Sequence, residues 1–246
     1  MDQKPQTPAP IRLESERAQK VHSLFSGVAG NYDKLNTLIS FGIHHRWRRE
    51  LVEWSGAKPG DSVLDLATGT GDLALEFKRQ LGPKSAVLGT DFNAEMLRTA
   101  PDKARERGLD VKFEQADATQ LVYPDNQFDI ASISYGIRNV DDTGRAVREI
   151  HRVLKPGGRF MILETGHATN PLLHGLFRVY FKHIMPRLAS LLGGDLSSYQ
   201  YLEASASEFP SGERLVALIR NNGNFSEVFA RPVFGGVSWM YRATKA

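Results

Sequence analysis

The chain has 246 residues, 41% hydrophobic and 24% charged, enough to bury a substantial core as one large domain. It contains no cysteine, which excludes disulfides, thiolate zinc sites and cysteine nucleophiles, and fits a cytoplasmic setting. A formal net charge of +3 carried by scattered basic residues predicts no nucleic-acid partner, and neither a membrane span nor a signal-peptide core is visible.

In chain order, "MDQKPQTPAPIR" has three prolines and little apolar content, so residues 1–17 are predicted to form a disordered arm. Residues 18–56 read as a cap of short helices broken at Gly27, Gly30 and Gly42, the last amphipathic through Trp47, Leu51 and Trp54. Apolar strand runs follow at 62–67, 86–90, 111–115, 128–134 and 159–164, each separated from the next by a stretch suited to a helix. That alternation predicts an α/β fold with a mostly parallel sheet covered on both faces. The run Leu154–Gly158 (LKPGG) reads as a helix-to-strand turn. Residues 171–210 read as a lid insertion with Leu172, Leu173, Leu176, Phe177, Tyr180, Phe181, Ile184 and Leu188 at helical spacing. That stripe suits packing on the core, and it equally suits facing a hydrophobic substrate or a membrane surface. "FSEVFARPVF" and "GVSWMYRAT" form a terminal hairpin whose last strand joins the sheet antiparallel.

The stretch "LDLATGTGDLA" (64–74) contains a G-x-G-x-x-A pattern, Gly69, Gly71 and Ala74, at the first strand-to-helix turn. In open α/β sheets that turn touches the ligand, and its glycines let backbone approach closely. Asp91, about 20 residues further on, suits a pair of ribose hydroxyls, as in NAD or another adenosine ligand. Asp65 and Asp72 flank the loop, and their negative charge is awkward beside a pyrophosphate. It suits S-adenosyl-L-methionine, whose sulfonium and ammonium groups are cationic. Asp117 with the Ala118 N–H offers one acceptor and one donor to adenine. Each acid taken singly also suits a helix cap or a turn.

With these residues in place, the sequence resembles class I S-adenosylmethionine-dependent methyltransferases, and more narrowly the UbiE/MenG/COQ5 family of quinone C-methyltransferases. The narrow likeness rests on "YDKLNTLISFGIHHRWR" (Tyr32–Arg48), which meets Y-D-x-x-N-x-x-x-S-x-G-x-H-x-x-W-R in full, and on "GIRNVDDTGRAVREIHRVLKPGGR" (Gly136–Arg159). The resemblance implies a Rossmann-like, seven-stranded fold and cofactor binding at Thr70, Asp91, Asp117, Ala118 and Ser134. Asp65, Gly69 and Gly71 join that set from the residue argument above. It also implies a polyprenylated quinol substrate, most simply demethylmenaquinol with a 2-polyprenyl-6-methoxy-benzoquinol as the alternative, while the lid stripe suits a peripheral membrane contact. A non-catalytic binding role in a quinone-synthesis complex and a homodimer both remain open. The chain departs from the family pattern at Thr165 and Gly166, where Phe and Ser are usual, at Tyr241, where His is frequent, and at "NGNF", where A-G-F is usual.

Ring methylation needs a nucleophilic carbon, which a quinol gains when a hydroxyl is deprotonated, and phenols titrate near pH 10. Arg138 is the candidate to stabilise the phenolate and Asn139 to orient the hydroxyl. The alternative readings are a salt bridge for Arg138 and a helix cap for Asn139. Tyr32, Asp33, His44 and Arg48 form a second group able to close over the cofactor. His44 is a candidate base or else a packed structural histidine, and His167 is a weaker candidate. No residue set calls for a metal.

Overall fold

A computed structural model describes residues 15–169, 175, 179–185 and 196–246. Residues 1–14 of the arm predicted over 1–17 and part of the lid, including Leu172, Leu173, Leu176, Phe177 and Leu188, lie outside the described residues.

Three helices open the chain: α1 (Glu16–Val28), α2 (Tyr32–Ser40) and α3 (Ile43–Ser55). Helix α1 starts where the Ser15 hydroxyl accepts from the Ala18 N–H at 2.9 Å, an N-cap that satisfies an otherwise orphaned donor. It begins inside the predicted arm and runs through Gly27 without a break, because the helix tolerates one glycine at modest cost. Gly42 does separate two helices: α2 ends with Phe41 (φ 51°) and Gly42 (φ 74°) in left-handed conformations, and the Gly42 N–H returns to the Thr37 carbonyl at 2.9 Å.

The sheet then builds through β1 (Ser62–Leu66), α4 (Asp72–Leu81), β2 (Ala86–Asp91), the short helices α5 (Ala94–Leu97) and α6 (Ala100–Glu106), β3 (Lys112–Gln115), β4 (Phe128–Ser134), α7 (Thr143–Val153) and β5 (Leu154–Thr165). Helix α8 (Leu196–Glu208) lies within the predicted lid, and α9 (Glu213–Asn221), β6 (Phe225–Val233) and β7 (Ser238–Lys245) follow it. The strand order is β3-β2-β1-β4-β5-β7-β6. All neighbours are parallel except that β7 runs antiparallel to both β5 and β6, as the hairpin predicts.

One boundary differs. The Leu154–Gly158 run belongs to β5 rather than to a turn before it, with Leu154 opposite Phe128 and Arg159 opposite Ile130. The extra residues form a bulge in which Gly157 takes φ 75°. Arg159 then reaches across to donate to the Ser55 and Gly56 carbonyls, each at 2.8 Å, closing the end of α3.

Both faces of the sheet are covered at its centre, so β1, β4 and the end of β5 are apolar on both sides, whereas the edge strands β3 and β6 are largely exposed. Along β5, Phe160 and Ile162 join the core under α7 and α9 with Ile150, Val153, Leu215 and Ile219. Met161 and Leu163 point the other way, into the core under α3 and α4 with Leu51, Leu73 and Phe77. Phe160 is fully buried, so Phe160→Ala is expected to cost about 3–5 kcal/mol in a urea titration, with cavity formation adding to lost transfer energy.

Candidate functional site

The order β3-β2-β1-β4 sets the carboxyl ends of four strands side by side, spanning about 14 Å at normal strand spacing. The order in which strands are added reverses between β1 and β4, although the two run parallel, and this is where open α/β sheets hold ligands. Asp117 and Ala118 follow β3, Asp91 ends β2, Asp65 and the glycine loop end β1, and Ser134 ends β4. The cofactor residues expected from the sequence therefore share one edge, in one line.

The loop needs its glycines. Gly69 and Gly71 have φ of 57° and 86°, values L side chains rarely adopt. A Cβ at Gly71 would stand 2.8 Å from the Phe113 ring. Gly136, at the exit of β4, is equally constrained, since a Cβ there would meet the Ala67 Cβ at 2.5 Å. The two exits thus touch at the reversal point.

Asp91 organises the neighbourhood. Its Oδ2 accepts the Gly69 N–H and its Oδ1 the Asn93 N–H, both at 2.8 Å. Burial pushes its carboxyl up to about 6, against the opposing pull of those two donors. Asp65 is buried. It accepts from the Thr68 and Ser132 hydroxyls, each at 2.6 Å, and burial likewise raises it to about 6. Asp117 accepts from the Thr119 N–H at 2.7 Å and hydroxyl at 2.8 Å through one oxygen, so it forms a turn and keeps its second oxygen as an acceptor. The Ser134 Oγ is buried with no hydrogen-bond partner in the chain, an arrangement that a ligand group at this edge would satisfy.

The helical cap closes over this edge. The Asn93 amide donates to the His22 carbonyl at 3.0 Å and the Ser26 hydroxyl at 2.9 Å, holding α1 on the end of β2. Tyr32 lies over the loop, its Cε1 3.9 Å from where a Cβ on Gly69 would sit. Burial raises the Tyr32 hydroxyl above the ordinary phenol value, while Asn36, Arg48 and Arg138 pull it down. Asp33 accepts from the Thr70 hydroxyl at 2.6 Å and also pairs with Lys103. Arg48 and Lys103 hold the two oxygens of Asp72 at 2.7 and 2.9 Å. Burial alone would raise Asp72, yet these cations keep it below the ordinary carboxylate value. This corrects the charge argument for the loop: Asp72 is neutralised by its partners and contributes no free negative charge there.

At the exit of β4, the Arg138 Nη1 donates to the Glu164 Oε1 at 2.6 Å and the Tyr135 carbonyl at 2.8 Å. Both side chains of this ion pair are buried. The salt-bridge reading of Arg138 therefore describes one edge of its guanidinium, while its Nε is buried without a partner. Asn139 is not the helix cap. Asp142 caps α7, accepting from the Arg145 N–H at 2.8 Å, and the Asn139 Oδ1 instead accepts from the Tyr201 hydroxyl of α8 at 3.1 Å.

His44 is buried and engaged by its neighbours. Its Nδ1 meets the Ser40 hydroxyl at 2.5 Å and its ring lies against His45. Burial, then Arg48 and His45, depress it to about 3, too weak a base to take a proton from a phenol. His167 has its ring nitrogens engaged by Ser211 and the Ser207 carbonyl. Among the described residues His44, His45 and Asp72 bring ligand atoms within 4.8 Å of one another, but Asp72 is already claimed by two cations. The sequence reading missed Lys103, which carries no local signal, and Glu164, whose charge at the end of an otherwise apolar strand was a usable one. Gly166 is needed for close packing: a Cβ there would fall 2.2 Å from the Trp239 Cδ1.

A family model for the ubiE/COQ5 methyltransferase family matches residues 13–245. The chain belongs to that family. A ubiquinone/menaquinone biosynthesis C-methyltransferase of Bdellovibrio bacteriovorus is 49% identical over 94% of this chain and 97% of its own length. The same-named protein of Stutzerimonas stutzeri is 41% identical over 94% and 91%. Among solved structures, an S-adenosylmethionine-dependent methyltransferase from Aquifex aeolicus shares the fold at 18% identity, with a TM-score of 0.59 over 81% of this chain and 89% of its own.

The His44 environment has a measurable consequence. Its folded-state value lies below the ordinary 6.5, so its contribution to stability is present above about 6.5 and is lost as pH falls toward 3. A His44→Gln variant is expected to show a shallower loss of stability than the parent between those pH values in parallel urea titrations.

Proposed function

We propose that the chain methylates a ring carbon of a polyprenylated quinol, most simply demethylmenaquinol, using S-adenosyl-L-methionine. The observation that carries this reading is the row of groups at the switch-point edge, ending in the buried, unpartnered Ser134 hydroxyl. The donor set fits the cofactor. Asp91 and its loop would take the ribose hydroxyls, Asp117 and Ala118 the adenine, and Asp65, Gly69 and Thr70 the methionine part, with Ser134 beside them. Bound there, the cofactor supplies an electrophilic methyl group. The relatives' names join ubiquinone and menaquinone synthesis, which supports a quinol as the acceptor.

The chain's own residues prepare the acceptor. Glu164 and the Tyr135 carbonyl fix the Arg138 guanidinium by one edge, leaving its Nε as a buried, charge-assisted donor for the phenolate oxygen. A fixed cation in a desolvated site lowers the cost of ionising that hydroxyl. Asn139, held by Tyr201, orients the same oxygen. Tyr32 and the cap exclude water from above. Among the described residues no helix is long and apolar enough to cross a membrane. Phe41 is 78% exposed at the α2–α3 turn, and such an aromatic tip supports the reading that the chain collects its quinol at a membrane surface.

Arg138→Lys keeps a charge opposite Glu164, so the buried ion pair is retained, but it removes Nε. Turnover is expected to fall about 100-fold or more, with S-adenosylmethionine affinity by calorimetry unchanged. Undiminished turnover removes Arg138 from the chemistry, and binding of NAD in place of S-adenosylmethionine overturns the assignment.

A further inference from the structure

Lys103 lies on α6, outside every motif that points to the cofactor, yet its side chain is only 13% exposed. An ammonium has three N–H donors, and each is used on a different segment. One goes to Asp33 on α2, one to the Thr70 hydroxyl of the glycine loop at 3.0 Å, and one to Asp72 at the start of α4 at 2.9 Å. Arg48 from α3 holds the other oxygen of Asp72. Arg107 stands 3.9 Å from Asp72 as a further cation, so both acids face positive charge although Lys103, Arg48 and Asp72 are largely shielded from water.

The same bonds fix the chemistry of Thr70. Its hydroxyl hydrogen is committed to Asp33 at 2.6 Å and one lone pair to Lys103, so only an acceptor lone pair remains. A hydroxyl in that state favours a donor such as an α-ammonium over a carboxylate or phosphate. The link from α2 to the loop also passes through this cation. We propose that Lys103 is a positioning residue: it latches the cap onto the glycine loop, presents Thr70 as an acceptor to the ammonium end of the cofactor, and sets how fast the cofactor leaves. This rests on the cofactor reading above.

The test compares the full chain with Lys103→Met, Lys103→Arg and Asp33→Asn. It measures calorimetric affinity for S-adenosylmethionine, its dissociation rate by rapid mixing, and amide hydrogen exchange. Loss of one charge-assisted strut predicts affinity for Lys103→Met weaker by about 10-fold or more, carried by faster dissociation. Exchange should quicken in residues 32–40 while residues 213–221 keep their protection, and Lys103→Arg should recover part of the affinity. Asp33→Asn removes the α2 strut from a more exposed side chain, 41% accessible, and should quicken the same exchange even where Lys103→Met fails to fold. Parental affinity and α2 protection in these variants overturn the latch, as does exchange that quickens evenly over the chain. A parent that binds no S-adenosylmethionine overturns the cofactor reading instead, and α2 exchange in the ligand-free variants still decides the latch.

Discussion

A half-buried carboxylate between two backbone N–H groups holds the site together. Asp91 ends β2, grips the glycine loop at Gly69 and fixes the turn at Asn93, so three segments take their positions from one side chain. Burial opposes its ionisation, raising it to about 6, and the two donors offset part of that cost. The loop in turn lies close against Phe113 and Met96. A ligand placed at this edge meets backbone and carboxylate with little rearrangement, which is the preorganisation that tight binding and catalysis both require.

Around that anchor, charge is compensated pair by pair. Asp33 and Asp72 are compensated by Lys103 and Arg48, with Arg107 nearby, on one side, and Arg138 is compensated by Glu164 on the other. The compensated clusters let the helical cap seal the edge without leaving a bare buried ion. Atoms left unspent around them include the Ser134 hydroxyl and the Nε of both Arg48 and Arg138. The Tyr32-Asp33 motif gains its meaning here, because the cap supplies the wall that the sheet lacks. Gly166 beneath the Trp239 indole shows the same economy of space at the end of β5.

The strands were legible because an apolar run or a period of two is a local property, and Phe160 and Met161 turn to opposite faces as that period requires. The glycine loop and the acids after β1, β2 and β3 were legible because a switch point places function at strand ends. Partner choice was not. Lys103 meets Asp72 and Asp33 across 31 and 70 residues, and Arg138 meets Glu164 across 26. Such pairings depend on the packed fold rather than on neighbouring sequence. Asp72 consequently looked like free charge until its neighbours were known. The early start of β5 was hidden by a bulge, which a Pro-Gly-Gly run imitates as a turn.

The central claim is that this edge delivers a methyl group to a ring carbon of a quinol. The most direct measurement supplies S-adenosylmethionine with an isotopically labelled methyl group and a demethylated, polyprenylated quinol to the purified chain, then locates the label in the extracted lipid by mass and carbon NMR. The account predicts label on a ring carbon in a product heavier by one methylene unit. Label on an oxygen, or an unlabelled quinol with the cofactor unconsumed, would contradict it.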